Sequence, residues 1–304
     1  MKPNSLSEVL KKGIRILAEA GIEEAGLDAW LLLEFETGYN RAFYFAHPEQ
    51  ELSELQMTAY FQNIENRSRH IPLQHLTHQA WFMGHEFYVN EHVLVPRQDT
   101  ECLVELALQI LRTNYFAQTE QTKDGESKQV HILDMCTGSG CILLSILAEM
   151  ENTVGIGCDL SEKALEVAGR NAEQMNLTAR AEFARGDLFE ADCFCKNDSR
   201  NTAEYDMIIS NPPYIATAEI EKLSEEVKVH DPMMALDGKE DGLYFYRKIT
   251  RKATAFLKKG GYLLYEIGYD QGESVSSIMK EHGFLNVKVQ KDLAGLDRIV
   301  YGIL

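Results

Sequence analysis

The chain is poor in basic residues for its size. Its 304 residues include 30 lysines and arginines against 47 aspartates and glutamates, which gives a formal net charge of −17. Proteins that grip DNA or RNA normally present a basic face to the phosphates, and no cluster of lysine and arginine stands out in this sequence. The composition therefore disfavours a nucleic-acid substrate, without excluding a local basic patch.

Long apolar runs are also missing. The longest is of strand length, and the segment from Met1 to Ser5 contains no apolar signal core, so we expect a cytoplasmic protein that does not span a membrane. Reduced thiols are the default for 6 scattered cysteines in such a chain. The spacing of these cysteines and of the 9 histidines matches no common metal site, so no metal is predicted.

The first part of the chain has helical periodicity. Ser5–Glu8 matches a capping box, and the apolar residues after it recur on one helical face. Two more helices are predicted before residue 68. The residues expected to face inward are Leu27, Trp30, Leu31 and Phe35 in the second helix, and Leu55, Ala59 and Ile64 in the third. Segment 1–76 is thus predicted to be a small helical domain that binds a partner.

The pattern changes at residue 77. Aromatic and β-branched residues between Trp81 and Val95 indicate a β-hairpin, which makes 77–98 the predicted connector. From Val130 onward strands and helices alternate, which favours an α/β domain over 99–304 with a mostly parallel sheet covered by helices on both faces. The polar segments near 117–129 and 192–204 are predicted to be surface insertions.

The four residues after one buried strand are the most informative in the chain. Neither proline among them donates a backbone N–H, and each fixes its own φ, so the turn is stiff. It would suit a planar NH₂ group, held by oxygens of the amide side chain and of a proline carbonyl. A plain strand-ending turn is the alternative, but the carboxyl end of a strand is where open α/β sheets bind ligands. The four residues are Asn211, Pro212, Pro213 and Tyr214.

A glycine-containing loop follows the first strand of the α/β domain. Its glycines permit close approach of a ligand, and the next helix offers unpaired N–H groups. An NAD site would need a third glycine where Leu143 stands. The loop instead resembles that of class I S-adenosylmethionine-dependent methyltransferases, with Cys136 in place of the usual first glycine. The cofactor-binding residues predicted here are Asp134, Cys136, Thr137, Gly138, Ser139 and Gly140.

Polar residues at the ends of later strands complete the predicted cofactor site. Asp159 lies roughly 20 residues past the loop, where a carboxylate can take both ribose hydroxyls. The Asp187 carboxylate can accept a hydrogen bond from the exocyclic amine of adenine, while Leu188 packs on the adenine ring. Each acidic residue alone is more often a cap or turn residue, but the ordered set favours S-adenosyl-L-methionine. Asn211, at a further strand end, is included among its contacts.

Nearly the whole chain resembles the protein-(glutamine-N5) methyltransferases that modify peptide chain release factors. The most specific match is the segment from Val95 to Glu101, where the family commonly has proline in place of Gln98. The residues 211–214 alone are shared with DNA amino-methyltransferases and some RNA methyltransferases. The other matching segments are 134–140, 235–238, 241–246, 266–268, 271–272 and 292–298.

The resemblance implies a class I methyltransferase with a Rossmann-like, mostly parallel sheet of seven strands, a small N-terminal helical domain and a hairpin connector. It implies methylation of the glutamine side-chain amide in the Gly-Gly-Gln loop of class I release factors. Asn211 and Pro212 would accept hydrogen bonds from the amide NH₂, and Tyr214 would pack against the side chain. The implied catalytic residues are Asn211, Pro212 and Tyr214, and Pro213 and Leu94 join them as substrate-binding residues.

Two other functions remain open at this point. An amino-group methyltransferase for DNA or RNA bases would use the same four residues, but the charge of −17 opposes it. A non-catalytic adaptor is opposed by the intact Asn-Pro-Pro-Tyr sequence. We therefore expect a monomeric enzyme with a protein substrate and no direct nucleic-acid partner. The sequence does not predict which release factors are modified.

Overall fold

The computed structural model describes residues 2–116, 129–191 and 205–304. They form two compact units, of which one is Met1–Gln79 with Ser224–His230 and the other is Ala80–Leu223 with Asp231–Leu304. The predicted insertions near 117–129 and 192–204 lie, except for Gln129, outside the described residues. The functional division into 1–76, 77–98 and 99–304 remains a prediction. No helix in the described ranges is long and apolar enough to cross a membrane.

The first unit is helical. Its apolar core includes Leu6, Leu17, Leu32, Leu33 and Ile64. The helices are α1 (Leu6–Glu19), α2 (Ala25–Thr37), α3 (Arg41–Ala46), α4 (Glu54–Ser68) and α5 (Leu73–Thr77).

Two of these helices bury only part of the predicted face: Trp30 and Ile64 are buried as predicted, but three other residues are not. Leu27 and Phe35 are each 44% exposed, and Leu55 is 80% exposed. Helix α2 is apolar around most of its circumference, so the sequence pattern alone does not define its inner face. Contacts with both α1 and α4 select Leu32 and Leu33 instead. Leu55 lies in the first turn of α4, where it is exposed.

The predicted capping box at Ser5–Glu8 is also wrong. Ser5 precedes α1, but its hydroxyl caps no backbone N–H. Backbone pairing replaces the cap, because the N–H groups of Leu6 and Ser7 donate to the carbonyls of Gln50 and Pro48. A true capping box stands at the start of α4, between Ser53 and Gln56.

A buried ion cluster holds segment 224–230 in the helical unit. The guanidinium Nε of Arg67 lies 2.7 Å from a carboxylate oxygen of Asp28, and its Nη1 lies 2.7 Å from Glu226. The same nitrogen donates to the carbonyl of Ile71 at 3.0 Å. Arg67 and Asp28 are buried, so each charge depends on the other for compensation.

The hairpin consists of β1 (Gln79–Phe82) and β2 (His85–Tyr88), with its turn at the predicted Gly84. It is shorter than expected, because residues 89–95 do not continue the strand. At the end of β2 the Asn171 side chain bonds to both backbone groups of Tyr88, as a neighbouring strand would. Its Oδ1 accepts from the Tyr88 N–H at 2.7 Å, and its Nδ2 donates to the Tyr88 carbonyl at 3.1 Å. Val93 and Val95 then pack in a small cluster with Val167.

The second unit is built on a sheet of seven strands. Their order is β5-β4-β3-β6-β7-β9-β8. The pairs from β5 to β7 are parallel, whereas β9 runs antiparallel to both β7 and β8. This confirms the predicted mostly parallel sheet. The strands are β3 (Val130–Met135), β4 (Thr153–Asp159), β5 (Ala181–Arg185), β6 (Tyr205–Ser210), β7 (Leu257–Glu266), β8 (Leu285–Lys291) and β9 (Asp297–Ile303).

Helices cover the sheet over two apolar clusters. The chain proceeds outward from β3 to β5 and then returns to pair β6 with the other side of β3, so the strand order reverses between β3 and β6. Ligands bind at such a point in open α/β sheets. The helices are α6 (Gln98–Leu111), α7 (Cys141–Glu149), α8 (Glu162–Gln174), α9 (Thr217–Ile220), α10 (Met233–Leu236), α11 (Tyr244–Phe256) and α12 (Gly272–Glu281).

Candidate active site

A cavity of about 260 Å³ opens at the carboxyl ends of these strands. Met135 on β3 pairs with Ser210 on β6, so the residues that follow, Cys136 and Asn211, lie side by side. Both line the cavity. The other predicted site residues in its wall are Leu94, Thr137, Gly138, Ser139, Asp159, Asp187, Leu188 and Pro213.

Asp134 does not reach the cavity. It is fully buried at the end of β3, where its Oδ2 accepts from the Thr137 hydroxyl at 2.6 Å. Burial raises the pKa of Asp134 to about 7, and the hydrogen bond from Thr137 opposes that rise. Asp134 therefore holds the loop through its hydrogen bond with Thr137, and Thr137 forms part of the cavity wall.

The loop turns through left-handed backbone conformations. Cys136 has φ 60°, Gly138 φ 55° and Gly140 φ 79°. Cys136 thus adopts, as a cysteine, a conformation that favours glycine. Burial raises the pKa of its thiol well above the usual value, so the side chain stays protonated. Gly140 is the N-cap residue before α7, and its left-handed φ favours glycine; a Cβ there would also lie in close contact, 3.2 Å from the Ala168 Cβ.

Asp159 lies at the end of β4 as predicted. Its Oδ2 accepts from the Gly138 N–H at 3.0 Å and its Oδ1 from the Ser161 N–H at 2.9 Å. Burial raises the pKa of Asp159, and these backbone hydrogen bonds act in the opposite direction. Because each carboxylate oxygen has a further lone pair, the group can still accept hydrogen bonds from a ligand in the cavity.

Asp187 and Leu188 follow β5 and line the same cavity as the glycine loop. The Nζ of Lys248 is 3.6 Å from the Asp187 carboxylate, and both side chains are partly exposed. Leu188 has φ 55° and is buried. Asp187 thus provides an acceptor and Leu188 an apolar surface, which is the combination expected for an aromatic ring that carries an amino group.

The Asn-Pro-Pro-Tyr turn contributes unequally to the wall. Asn211 and Pro213 line the cavity, whereas Pro212 and Tyr214 are not among its lining residues. Tyr214 packs against the apolar cluster of one sheet face, and its carbonyl accepts from the Gln271 amide at 2.9 Å. Burial raises the pKa of Tyr214 to about 12. The roles predicted for Pro212 and Tyr214 at the substrate therefore stay predictions.

Side chains of segment 97–101 bond to several other parts of the domain around this site. The sequence analysis did not predict these contacts. Arg97 pairs with the buried Asp231 at 2.9 Å, and Asp99 with Arg298 at 3.1 Å. The hydroxyl oxygen of Thr100 accepts from the Asn211 Nδ2 at 3.3 Å. Three polar residues of this segment therefore bind other parts of the domain.

Glu266 was also missed. It ends β7 and lies beside Asn211, because Ser210 pairs with Tyr265. Burial raises the pKa of Glu266 to about 7, and hydrogen bonds from Thr100 and Asn211 together with the charge of Arg298 oppose this rise. A glutamate directly after the apolar run 262–265 was the available signal in the sequence.

Asn171 ties the hairpin to the cofactor loop, because its Nδ2 also donates to the Ser139 carbonyl at 2.9 Å. We expect Asn171→Leu to lower the free energy of unfolding by about 1–3 kcal/mol, since buried backbone groups would lose their partner. S-adenosylmethionine should also bind more weakly. Urea unfolding and calorimetry measure the two effects.

Gln174→Ala is the matched control for Asn171→Leu. Gln174 lies on the same helix and donates to Glu86 of the same hairpin, but at an exposed site. Its removal should change stability by less than about 0.5 kcal/mol. Equal losses in the two variants would contradict the assigned role of Asn171.

Known proteins were compared with the whole chain. Residues 8–77 match the family described as PrmC N-terminal domain, and residues 126–295 match a methyltransferase domain family. A release factor glutamine methyltransferase of Clostridium acetobutylicum is 35% identical and covers 98% of this chain and 98% of its own length. The chain belongs to the release factor glutamine methyltransferase family. A relative of that name in Caulobacter vibrioides is 36% identical over 94% of this chain and 92% of its own.

Solved structures agree on the fold. The hMettl16 catalytic domain, in complex with the MAT2A 3′UTR hairpin 6, aligns with a TM-score of 0.52 at 14% identity, over 71% of this chain and 74% of that chain. Such a likeness supports the class I methyltransferase fold alone. The family and the methyltransferase domain identify an S-adenosylmethionine-dependent methyltransferase. The residues in the cavity fit this cofactor: Asp159 offers ribose acceptors, and the loop offers a close backbone approach at Gly138.

Proposed function

We propose that this protein methylates the side-chain amide nitrogen of a glutamine in class I peptide chain release factors. The names of its full-length relatives support the substrate class. The observation that carries the proposal is that Asn211 shares one cavity with Gly138 and Asp159. An amide acceptor and the cofactor-binding loop therefore face the same space.

The chemistry asks the protein for position rather than for a strong base. S-adenosylmethionine, when bound, supplies a methyl group on a sulfonium. An amide nitrogen is a weak nucleophile, and holding it in line with that methyl group can lower the barrier by ~7–11 kcal/mol. Asn211 and the Pro212 carbonyl would accept the two amide hydrogens and favour positive charge as it develops on the nitrogen. Neither group titrates, so transfer needs no ionisation of either.

The proposal extends to the finer features of the substrate. The target would be the Gly-Gly-Gln loop and the product N5-methylglutamine, with Tyr214 against the glutamine side chain and Leu94 in the pocket wall. The helical segment 1–76 would bind the release factor. The enzyme would act as a monomer in the cytoplasm. It would not contact nucleic acid, and the net charge of −17 supports this last point.

Transfer of labelled methyl groups tests this function. The protein is incubated with labelled S-adenosylmethionine and a release factor carrying either the natural loop or a glutamine-to-alanine loop. We expect label in the natural loop alone, and a mass increment of one methyl group on the peptide that contains the glutamine. Equal labelling of both release factors would refute the substrate assignment.

Two further arms separate the other functions. In the first arm, DNA or RNA oligonucleotides replace the release factor. Transfer of the methyl label to an oligonucleotide would indicate an amino-group methyltransferase for bases. Calorimetric titration without cofactor binding would indicate an adaptor instead of an enzyme.

A further inference from the structure

The orientation of the Asn211 carboxamide decides what the cavity can bind. A carboxamide offers an acceptor oxygen on one side and an NH₂ donor on the other, and the two groups have nearly the same shape. A substrate NH₂ needs an acceptor. The oxygen must therefore face the cavity, and the protein must hold the Asn211 nitrogen elsewhere.

Thr100 provides the first anchor for that nitrogen. It is buried at the start of α6, and its Oγ1 lies 3.3 Å from the Asn211 Nδ2. A hydroxyl can either donate or accept. Thr100 selects the nitrogen of Asn211 only when its own hydrogen points away, toward another acceptor.

Glu266 is that acceptor. The pairing of Ser210 with Tyr265 places it beside Asn211, and hydrogen bonding from Thr100 and Asn211 opposes the rise that burial causes in the pKa of its carboxyl. The group is buried beside Asn211, and its Oε2 has no hydrogen-bond partner within the described ranges. Above its pKa of about 7 the ionised carboxylate accepts only, so it fixes the direction of the Thr100 hydrogen and draws the second N–H of Asn211 away from the cavity.

We propose that Glu266 and Thr100 are positioning residues that lock the Asn211 carboxamide with its oxygen toward the substrate nitrogen. This inference rests on the proposed function for its consequence but not for its geometry. When Glu266 is ionised, its negative charge behind Asn211 also polarises the carboxamide and strengthens its oxygen as an acceptor. The lock thereby makes the cavity selective for an NH₂ donor over a group that only accepts.

Substitutions at Thr100 test the lock in the full-length protein. Thr100→Val keeps the shape and removes the hydroxyl, whereas Thr100→Ser keeps the hydroxyl. We expect Thr100→Val to lower kcat for release factor methylation about tenfold or more, with little change in the KM for S-adenosylmethionine. Thr100→Ser should restore kcat to about half of the wild-type value or better, and Glu266→Gln should behave like Thr100→Val.

Thr250→Val is the matched control. Thr250 is also a buried threonine, bonded through its hydroxyl to Tyr265 at 2.9 Å, and it does not line the cavity. Its replacement should cost comparable stability but leave kcat unchanged. A loss of kcat in Thr250→Val equal to that in Thr100→Val would overturn the lock.

Hydrogen exchange gives a readout that does not depend on turnover. The side-chain NH₂ resonances of Asn211 are identified by their absence in Asn211→Ala. In the free wild-type protein they should exchange with solvent at least about tenfold more slowly than in Thr100→Val or Glu266→Gln. Equal exchange rates would refute the lock even if the enzyme methylates release factors. Slow exchange in a wild-type protein that labels no release factor would support the lock and refute the proposed function.

Discussion

Asn211→Ala is expected to lower the rate of methyl transfer on the order of 10²-fold or more, because it removes an acceptor aimed at the nitrogen on which charge develops. The fold should survive, since Asn211 is partly exposed and lies in a turn after β6. S-adenosylmethionine should bind with at most a small loss of affinity, because Asp159 and the glycine loop remain. Single-turnover label transfer at saturating cofactor measures the rate, and thermal unfolding checks the fold.

Asn90→Ala is the control for this variant. Asn90 is also a partly exposed asparagine, and it precedes Glu91 and His92 in the cavity wall. Among the bonds described, its side chain accepts only from the His92 N–H. We expect its activity to stay within about twofold of the wild type. Undiminished transfer in Asn211→Ala would remove Asn211 from the catalytic residues and reopen the adaptor and base-methylating functions.

Arg67→Ala is expected to give the largest loss of stability, about 3–5 kcal/mol, in the helical unit. The variant would leave the buried carboxylate of Asp28 and the partly exposed carboxylate of Glu226 without their cation. Trp30 reports on this unit, because it is 5% exposed in the helical core, whereas the other tryptophan, Trp81, is 69% exposed. Urea unfolding followed by tryptophan fluorescence should therefore shift to lower urea.

Arg69→Ala, two positions along the chain, separates burial from charge. The side chains of Arg69 and Glu65 form an exposed pair one helical turn apart, and such pairs contribute little. We expect a change within about 0.5 kcal/mol. The Arg67→Ala, Asp28→Ala double variant should lose less than the sum of the single losses, because no charge of that pair remains unpaired. A loss in Arg67→Ala no larger than that in Arg69→Ala would show that the cluster does not stabilise the unit.

The amino-acid sequence by itself determined the class of fold and the strand ends at which the candidate site lies. Alternation of strands and helices is a local, periodic signal, and it predicted the mostly parallel sheet. The glycine loop after β3, Asp159 at the end of β4 and Asn211 after β6 were located for the same reason. Each lies at the carboxyl end of a recognisable strand, and parallel strands bring these ends to one edge of a sheet.

Only the tertiary structure decided which polar groups meet. Thr100 and Asn211 are 111 residues apart in sequence, and Arg97 and Asp231 are 134 apart. No local pattern encodes such pairs, because the partner of a polar side chain depends on how distant elements pack. The same reason accounts for α2, whose apolar circumference left its inner face to be chosen by α1 and α4. It also accounts for Glu266, whose importance follows from its neighbours rather than from its own segment.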